Sequence, residues 1–137
     1  MRPLKELNIT KPYIAIFASG NSVHNITLEE FDFIKSSCFV VTMNYAPIRL
    51  HGHLNMWSDK KVSNYLEKHY ETNPKECLFL VRKNRHTPKL IPKIDYFFDQ
   101  KGDHIQGNFT IVWALQLFQK YFPDKTILVF GLDIYAK

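Results

Sequence analysis

Apolar residues along this chain fall into short runs separated by polar, helix-periodic stretches, and that alternation predicts the elements. Tyr13-Ile14-Ala15-Ile16-Phe17-Ala18 is apolar throughout and ends at Ser19-Gly20-Asn21-Ser22, as a buried strand feeding a tight turn does. Thr27 and Glu30 stand at capping-box spacing, and Leu28, Phe31 and Ile34 keep helical period up to Ser36-Ser37. Cys38 to Met43 is β-branched and aromatic, a second strand ending at Asn44-Tyr45-Ala46-Pro47. His53 to Trp57 reads as a third, short strand. Asp59 can cap a helix carrying Val62, Tyr65, Leu66 and His69, which Asn73-Pro74 ends, and Cys77 to Val81 is another buried strand.

The pattern then changes. Arg82, Lys83, Arg85, His86, Lys89 and Lys93 sit among prolines and polar residues, so 82–93 reads as a basic loop. Ile94 to Phe98 fits a strand or a turn against the core. Gly107 precedes a helix from about Asn108 to Tyr121, with Ile111, Val112, Leu115 and Phe118 on one side and Trp113 in the core. Pro123-Asp124 breaks it before a last strand, Thr126 to Phe130. Strands that are apolar throughout and alternate with helices point to a parallel sheet covered on both faces. The expectation is one domain over 1–137, an α/β three-layer Rossmann-like sandwich with a mostly parallel sheet.

Composition narrows the function classes without choosing among them. With 45% hydrophobic and 15% aromatic residues in 137, the chain can build a core, which excludes wholesale disorder. Eleven Phe, seven Tyr and two Trp are more rings than a core of this size needs, so some are expected at a site. A pI near 9.2 invites a nucleic-acid reading, but a net charge of +5 spread over a domain is modest for one. Cys38 and Cys77, each flanked by apolar residues, read as buried thiols of a reducing compartment. The start of the sequence lacks a signal-peptide pattern, and no apolar run approaches the about 20 residues of a membrane span, so a cytoplasmic location is expected.

Ligands of an open parallel sheet bind beyond the carboxyl ends of its strands. Three polar turns fall there: Ser19-Gly20-Asn21-Ser22, Asn44-Tyr45 and Gly131-Leu132-Asp133-Ile134-Tyr135. Gly20-Asn21-Ser22-Val23 lacks the further glycines of GxGxxG, and no Gly-Lys-Ser/Thr occurs, so neither a dinucleotide nor a Walker A site is expected. Gly107 and Asn108 open a helix whose free N–H groups suit an anion, with Asn108 as a plain N-cap the competing reading. His51-Gly52-His53 has no companion ligands at metal spacing, so no metal or other cofactor is expected. The basic loop 82–93 leaves open a non-catalytic module that binds an acidic protein or nucleic acid.

Taken in order, strand–Ser19-Gly20-Asn21-Ser22-Val23–helix–strand–Met43-Asn44-Tyr45-Ala46-Pro47, then Gln106-Gly107-Asn108-Phe109-Thr110–helix and strand–Gly131-Leu132-Asp133-Ile134-Tyr135, the chain resembles a known family. It is similar to the bacterial sialyltransferases of lipooligosaccharide synthesis (glycosyltransferase family 42) and to the MptE-like Rossmann proteins. Asn21 stands where that first turn usually has Pro, and Gln106 and Asn108 replace hydroxyl residues. The resemblance implies a bacterial or phage protein binding a nucleotide sugar, a CMP-sugar above all, with Ser19, Gly20, Asn44, Gly107 and Asp133 lining the donor pocket. It also implies a glycan acceptor whose hydroxyl receives the sugar. The MptE-like group implies instead pyrophosphate transfer with Mg²⁺ and ATP, for which Asp59, Asp103 and Asp133 are the obvious carboxylates. The sialyltransferases place a histidine general base downstream of the last motif. Here the sequence reads two residues past Tyr135, so the expectation is a piece of a larger enzyme or a minimal relative that binds without that chemistry. His104 and His51 are the candidates for a base, with His53 able to act as an acid or base as well, and an oligomer is left open.

Overall fold

The structure is a computed structural model that describes residues 1–18, 25–86 and 88–132. Seven strands form one sheet: β1 (Arg2–Pro3), β2 (Tyr13–Phe17), β3 (Phe39–Met43), β4 (Leu54–Trp57), β5 (Leu78–Arg82), β6 (Tyr96–Phe98) and β7 (Thr126–Phe130). Their order is β1-β6-β5-β4-β3-β2-β7, and every pairing is parallel. Helices α1 (Leu28–Ser37), α2 (Lys60–His69) and α3 (Thr110–Tyr121) cover it. The expected three-layer α/β, Rossmann-like architecture is the one observed.

Alternation along each strand sorts the core into two layers, because successive side chains of a strand point to opposite faces. Ile14, Ile16, Val41, Met43, Leu54, Met56 and Leu80 face α3 and meet its Trp113, Ala114, Leu117 and Phe118. On the other face Ala15, Phe17 and Val40 pack on Phe31 of α1, while Trp57, Phe79 and Val81 pack on Val62 and Leu66 of α2. Both layers are apolar, so β2 to β5 show no hydrophobic alternation in sequence.

The helix ends follow the sequence signals at α1 and α2. Thr27 Oγ1 accepts from the Glu30 N–H (3.0 Å) while the Glu30 carboxylate accepts from the Thr27 N–H (3.1 Å). Asp59 caps α2 by accepting from the Lys61 N–H at 2.9 Å. At α3 the expectation is off: the N-cap is Phe109, with no side-chain cap, so Asn108 lies before the cap rather than at it. The buried stripe of α3 is also rotated: Val112 is exposed and Trp113 and Leu117 are buried. A helix apolar on most sides does not reveal its inner face by period alone.

Two further elements were not legible. Arg2–Pro3 pairs with Tyr96–Phe97 as an edge strand, and Leu4, Leu7 and Ile9 behind it enter the core beside α3. Two residues are too few to show a period. The basic loop is partly structural: Arg82 closes β5, its guanidinium lies 4.9 Å over the Trp113 ring and it donates to Gln100 Oε1. Lys93 Nζ donates to the Tyr70 carbonyl at 2.7 Å, Lys89 lies 3.8 Å from the Glu71 carboxylate, and Leu90 is buried.

From β2 the strand order runs through β3, β4, β5 and β6 toward one edge, and the chain then returns to place β7 on the other side of β2. The order therefore reverses at the β2–β7 junction, with α1 and α2 on one face and α3 on the other. Such a reversal opens a crevice at the carboxyl ends of the flanking strands.

Candidate functional site

A cavity of about 580 Å³ opens at that rim. Its described lining comes from the ends of β2 (Ala18), β3 (Met43, Asn44, Tyr45), β4 (Ser58) and β7 (Gly131, Leu132), and from the starts of α2 and α3. Two helices thus direct their N-termini at one space. Asp59 already satisfies part of the first turn of α2, whereas the first N–H groups of α3 have no side-chain cap. Uncapped N–H groups with the positive end of the helix dipole favour an anion. Asn108, Phe109, Thr110 and Ile111 all line the cavity there.

Behind the lining residue Asn44 lie buried polar groups. Thr42 and Asn55 are fully buried in the middle of β3 and β4. The Thr42 hydroxyl donates to Asn55 Oδ1 (2.9 Å), and Asn55 Nδ2 donates to the Asn44 carbonyl (3.0 Å). The Asn44 N–H donates to the Met56 carbonyl at 3.0 Å. This clamp holds Asn44 at φ 56°, a left-handed conformation that Asn tolerates better than most residues. At the opposite wall Ser58 and Thr110 hydroxyls lie 2.8 Å apart and tie the end of β4 to the start of α3.

Glycines shape the rest. Gly131, with φ 73°, turns the chain at the end of β7 against the cavity. Gly107 has φ 98°, and its carbonyl accepts from Trp113 Nε1 at 2.9 Å, which anchors the approach to α3. Gly107 stands just behind the lining residues and not among them.

Of the expected site residues, Asn44, Asn108 and Gly131 converge on the cavity and Gly107 supports it. Ser19, Gly20, Asn21, Ser22, Asp133 and Tyr135 lie outside the described residues. His51 and His104 are elsewhere. His51 precedes β4, at the amino ends of the strands, with Nε2 3.3 Å from the Glu76 carboxylate. His104 follows Asp103, whose carboxylate accepts from the Tyr121 hydroxyl and whose carbonyl accepts from Lys120 Nζ, both in the last turn of α3. The cavity is at the first turn.

Sequence reasoning missed Phe109, Ser58 and Thr110 of the lining and Asn55 behind Asn44. Phe109 is 70% exposed and Tyr45 stacks edge-on against Tyr65, with centroids 5.2 Å apart, so rings do lie at this site. Asn55 carried one signal, a lone amide inside Leu54-Asn55-Met56-Trp57. Ser58 and Thr110 carried none, since they meet only across the fold.

The amino rim holds more of the perturbed titrating groups. Burial, helped by Lys11 and Lys35, pulls His53 down to about 4, and its Nδ1 accepts from the Val40 N–H at 2.8 Å. Burial pushes the Cys77 thiol up to about 11 and raises Cys38, so neither is a ready nucleophile. No group of three or more His, Cys, Asp or Glu among the described residues could hold a metal ion, and no helix among them is long and apolar enough to cross a membrane.

No protein-family model matches the chain, and no curated protein or solved structure shows significant similarity to it.

Proposed function

We propose that the chain binds a nucleotide sugar, a CMP-sugar by preference, in the cavity at the β2–β7 reversal, as a glycosyltransferase-like domain. The observation that carries this reading is the uncapped start of α3 opening into the same space as an exposed ring, Phe109, and the clamped Asn44. The N–H groups of α3 suit a phosphate, the ring suits a base, and the hydroxyls of Ser58 and Thr110 suit a sugar. The resemblance of the turn motifs supports the choice of a cytidine nucleotide.

Transfer to an acceptor hydroxyl asks for a group that removes the acceptor proton as the nucleotide departs. Asp59 is the one carboxylate of the described lining, and it is held by the first turn of α2. Binding and transfer are therefore tested apart.

Thermal unfolding with CMP, CDP, UDP and ATP tests binding. A ligand of the folded state at 100 times its Kd stabilises by about 2.7 kcal/mol, a rise of several degrees for a domain of this size. The expected result is a rise largest with CMP and CDP. No rise with any nucleotide rejects the reading. Release of CMP from a CMP-sugar with a glycan acceptor then reports transfer.

A further inference from the structure

The two edges of the sheet are unlike. The β1 edge is two residues long, contains Pro3 and runs into a buried turn at Leu4. Short edges with proline resist pairing with another chain. The β7 edge is five residues, Thr126-Ile127-Leu128-Val129-Phe130, with no charge and no proline. Leu128 is 38% exposed and Val129 37%, on opposite faces of the sheet, while the residues in register with them, Ala15 and Ile16 of β2 and Val40 and Val41 of β3, are fully buried.

Hydrogen bonding shows what that edge offers. The Thr126 N–H donates to the Pro12 carbonyl, and the Phe130 carbonyl accepts from the Ala18 N–H. In a parallel ladder one residue's N–H and C=O face the same neighbour, and the next residue's face away. Thr126, Leu128 and Phe130 therefore bond to β2, and both backbone groups of Ile127 and Val129 point outward. The sheet ends at β7 among the described residues.

Two outward-facing residues that flank one inward-facing residue make a self-complementary edge. If a second copy approaches antiparallel, with a two-fold axis at Leu128, Ile127 faces Val129 of the second copy and Val129 faces its Ile127. Each of those pairs exchanges two hydrogen bonds, and the two Leu128 side chains meet on the axis at a non-hydrogen-bonded pair. The nearest charges, Asp124 and Lys125, pair with each other at 3.6 Å beyond the strand, so no like charges oppose across the axis. We propose that this chain forms a two-fold dimer through antiparallel β7–β7 pairing, making one continuous sheet from two copies. The blunt β1 edge ends the sheet at both sides, so the assembly closes at two.

Light scattering coupled to size exclusion, over a dilution series of the full chain, reads the mass. The expected mass is twice 16.2 kDa, falling toward one copy on dilution. Val129→Pro removes an outward N–H without touching a bond to β2, and Leu128→Lys sets a charge on the axis. Each is expected to weaken dimerisation at least tenfold. A pair of Leu128→Cys variants gives a register test that does not depend on weakening anything. Their Cα atoms would stand about 4.5 Å apart, inside the disulfide range, whereas Ile127→Cys places them roughly 8 Å apart. Native Cys38 and Cys77 are buried and do not compete. Oxidation is expected to cross-link L128C and not I127C. A monomer at every concentration, a dimer that survives both edge variants, or cross-linking that is absent or equal at the two positions overturns the proposal.

Discussion

The two rims of the sheet carry similar polar residues and use them in opposite ways. At the amino rim the cations are spent on the chain itself. Lys11 Nζ donates to the Lys35 carbonyl at 2.8 Å, Lys35 Nζ to that of His51 at 2.8 Å, and Lys75 Nζ to the Lys93 carbonyl and the Asp95 carboxylate. At the carboxyl rim Asn44, Ser58, Thr110 and the start of α3 surround open space. The lesson is that polar residues at strand ends do not mark a site by their identity. What marks it is whether they border a cavity or are packed along the chain's own carbonyls.

That contrast predicts where substitutions cost stability and where they cost binding. The largest effect is expected at Asp95, whose carboxylate accepts from both Lys75 and the Phe79 N–H (2.8 Å). Asp95→Ala leaves the Phe79 N–H unmatched and takes from Lys75 its carboxylate, leaving it only the Lys93 carbonyl, and should destabilise by about 2–3 kcal/mol. Chemical denaturation reads that loss, and the nucleotide-induced thermal shift should be unchanged. A shift that vanishes with Asp95 would dissolve the distinction between the rims.

Phe109→Ala is the converse. The exposed ring contributes little to folding, so stability should move by less than about 0.5 kcal/mol. Loss of a stacking surface should weaken nucleotide binding by about 1–3 kcal/mol, a factor of roughly 5 to 150, in a calorimetric titration. Unchanged affinity would remove the base from that wall.

A pH profile sharpens the amino rim. His53 lies at about 4 in the folded chain against 6.5 ordinarily, so the unfolded chain takes up the proton first as pH falls. Its contribution is full above about 6.5 and declines toward 4, by about 1–2 kcal/mol once solvent screening of a half-exposed ring is allowed for. His53→Asn, which keeps an acceptor for the Val40 N–H, should flatten that slope in denaturation midpoints measured between these values. The smallest effect is at Thr27, at the start of α1. It is spent on its own helix, so Thr27→Ala should cost about 1 kcal/mol in stability and nothing in nucleotide affinity.

The sequence by itself determined the order and type of most elements. Runs such as 14–17 and 78–81 are apolar at every position because both faces of a parallel strand are buried, and Thr27 and Asp59 cap helices through bonds within a few residues. Those causes are local, so they are legible along the chain. It was also enough to bring Asn44, Asn108 and Gly131 to one rim, because all three follow or precede an element whose direction a parallel sheet dictates. Only the tertiary structure decided which residues meet across elements: Asn55 with Asn44, Ser58 with Thr110, Arg82 with Trp113, and Arg2–Pro3 with β6. It also decided that His51 and His104 stand away from the cavity and that β7, as apolar as its neighbours, is the strand left at the edge. A strand's composition reports how much apolar surface it carries. Whether that surface is covered depends on strand order, which is set by long-range pairing and leaves no trace in local pattern.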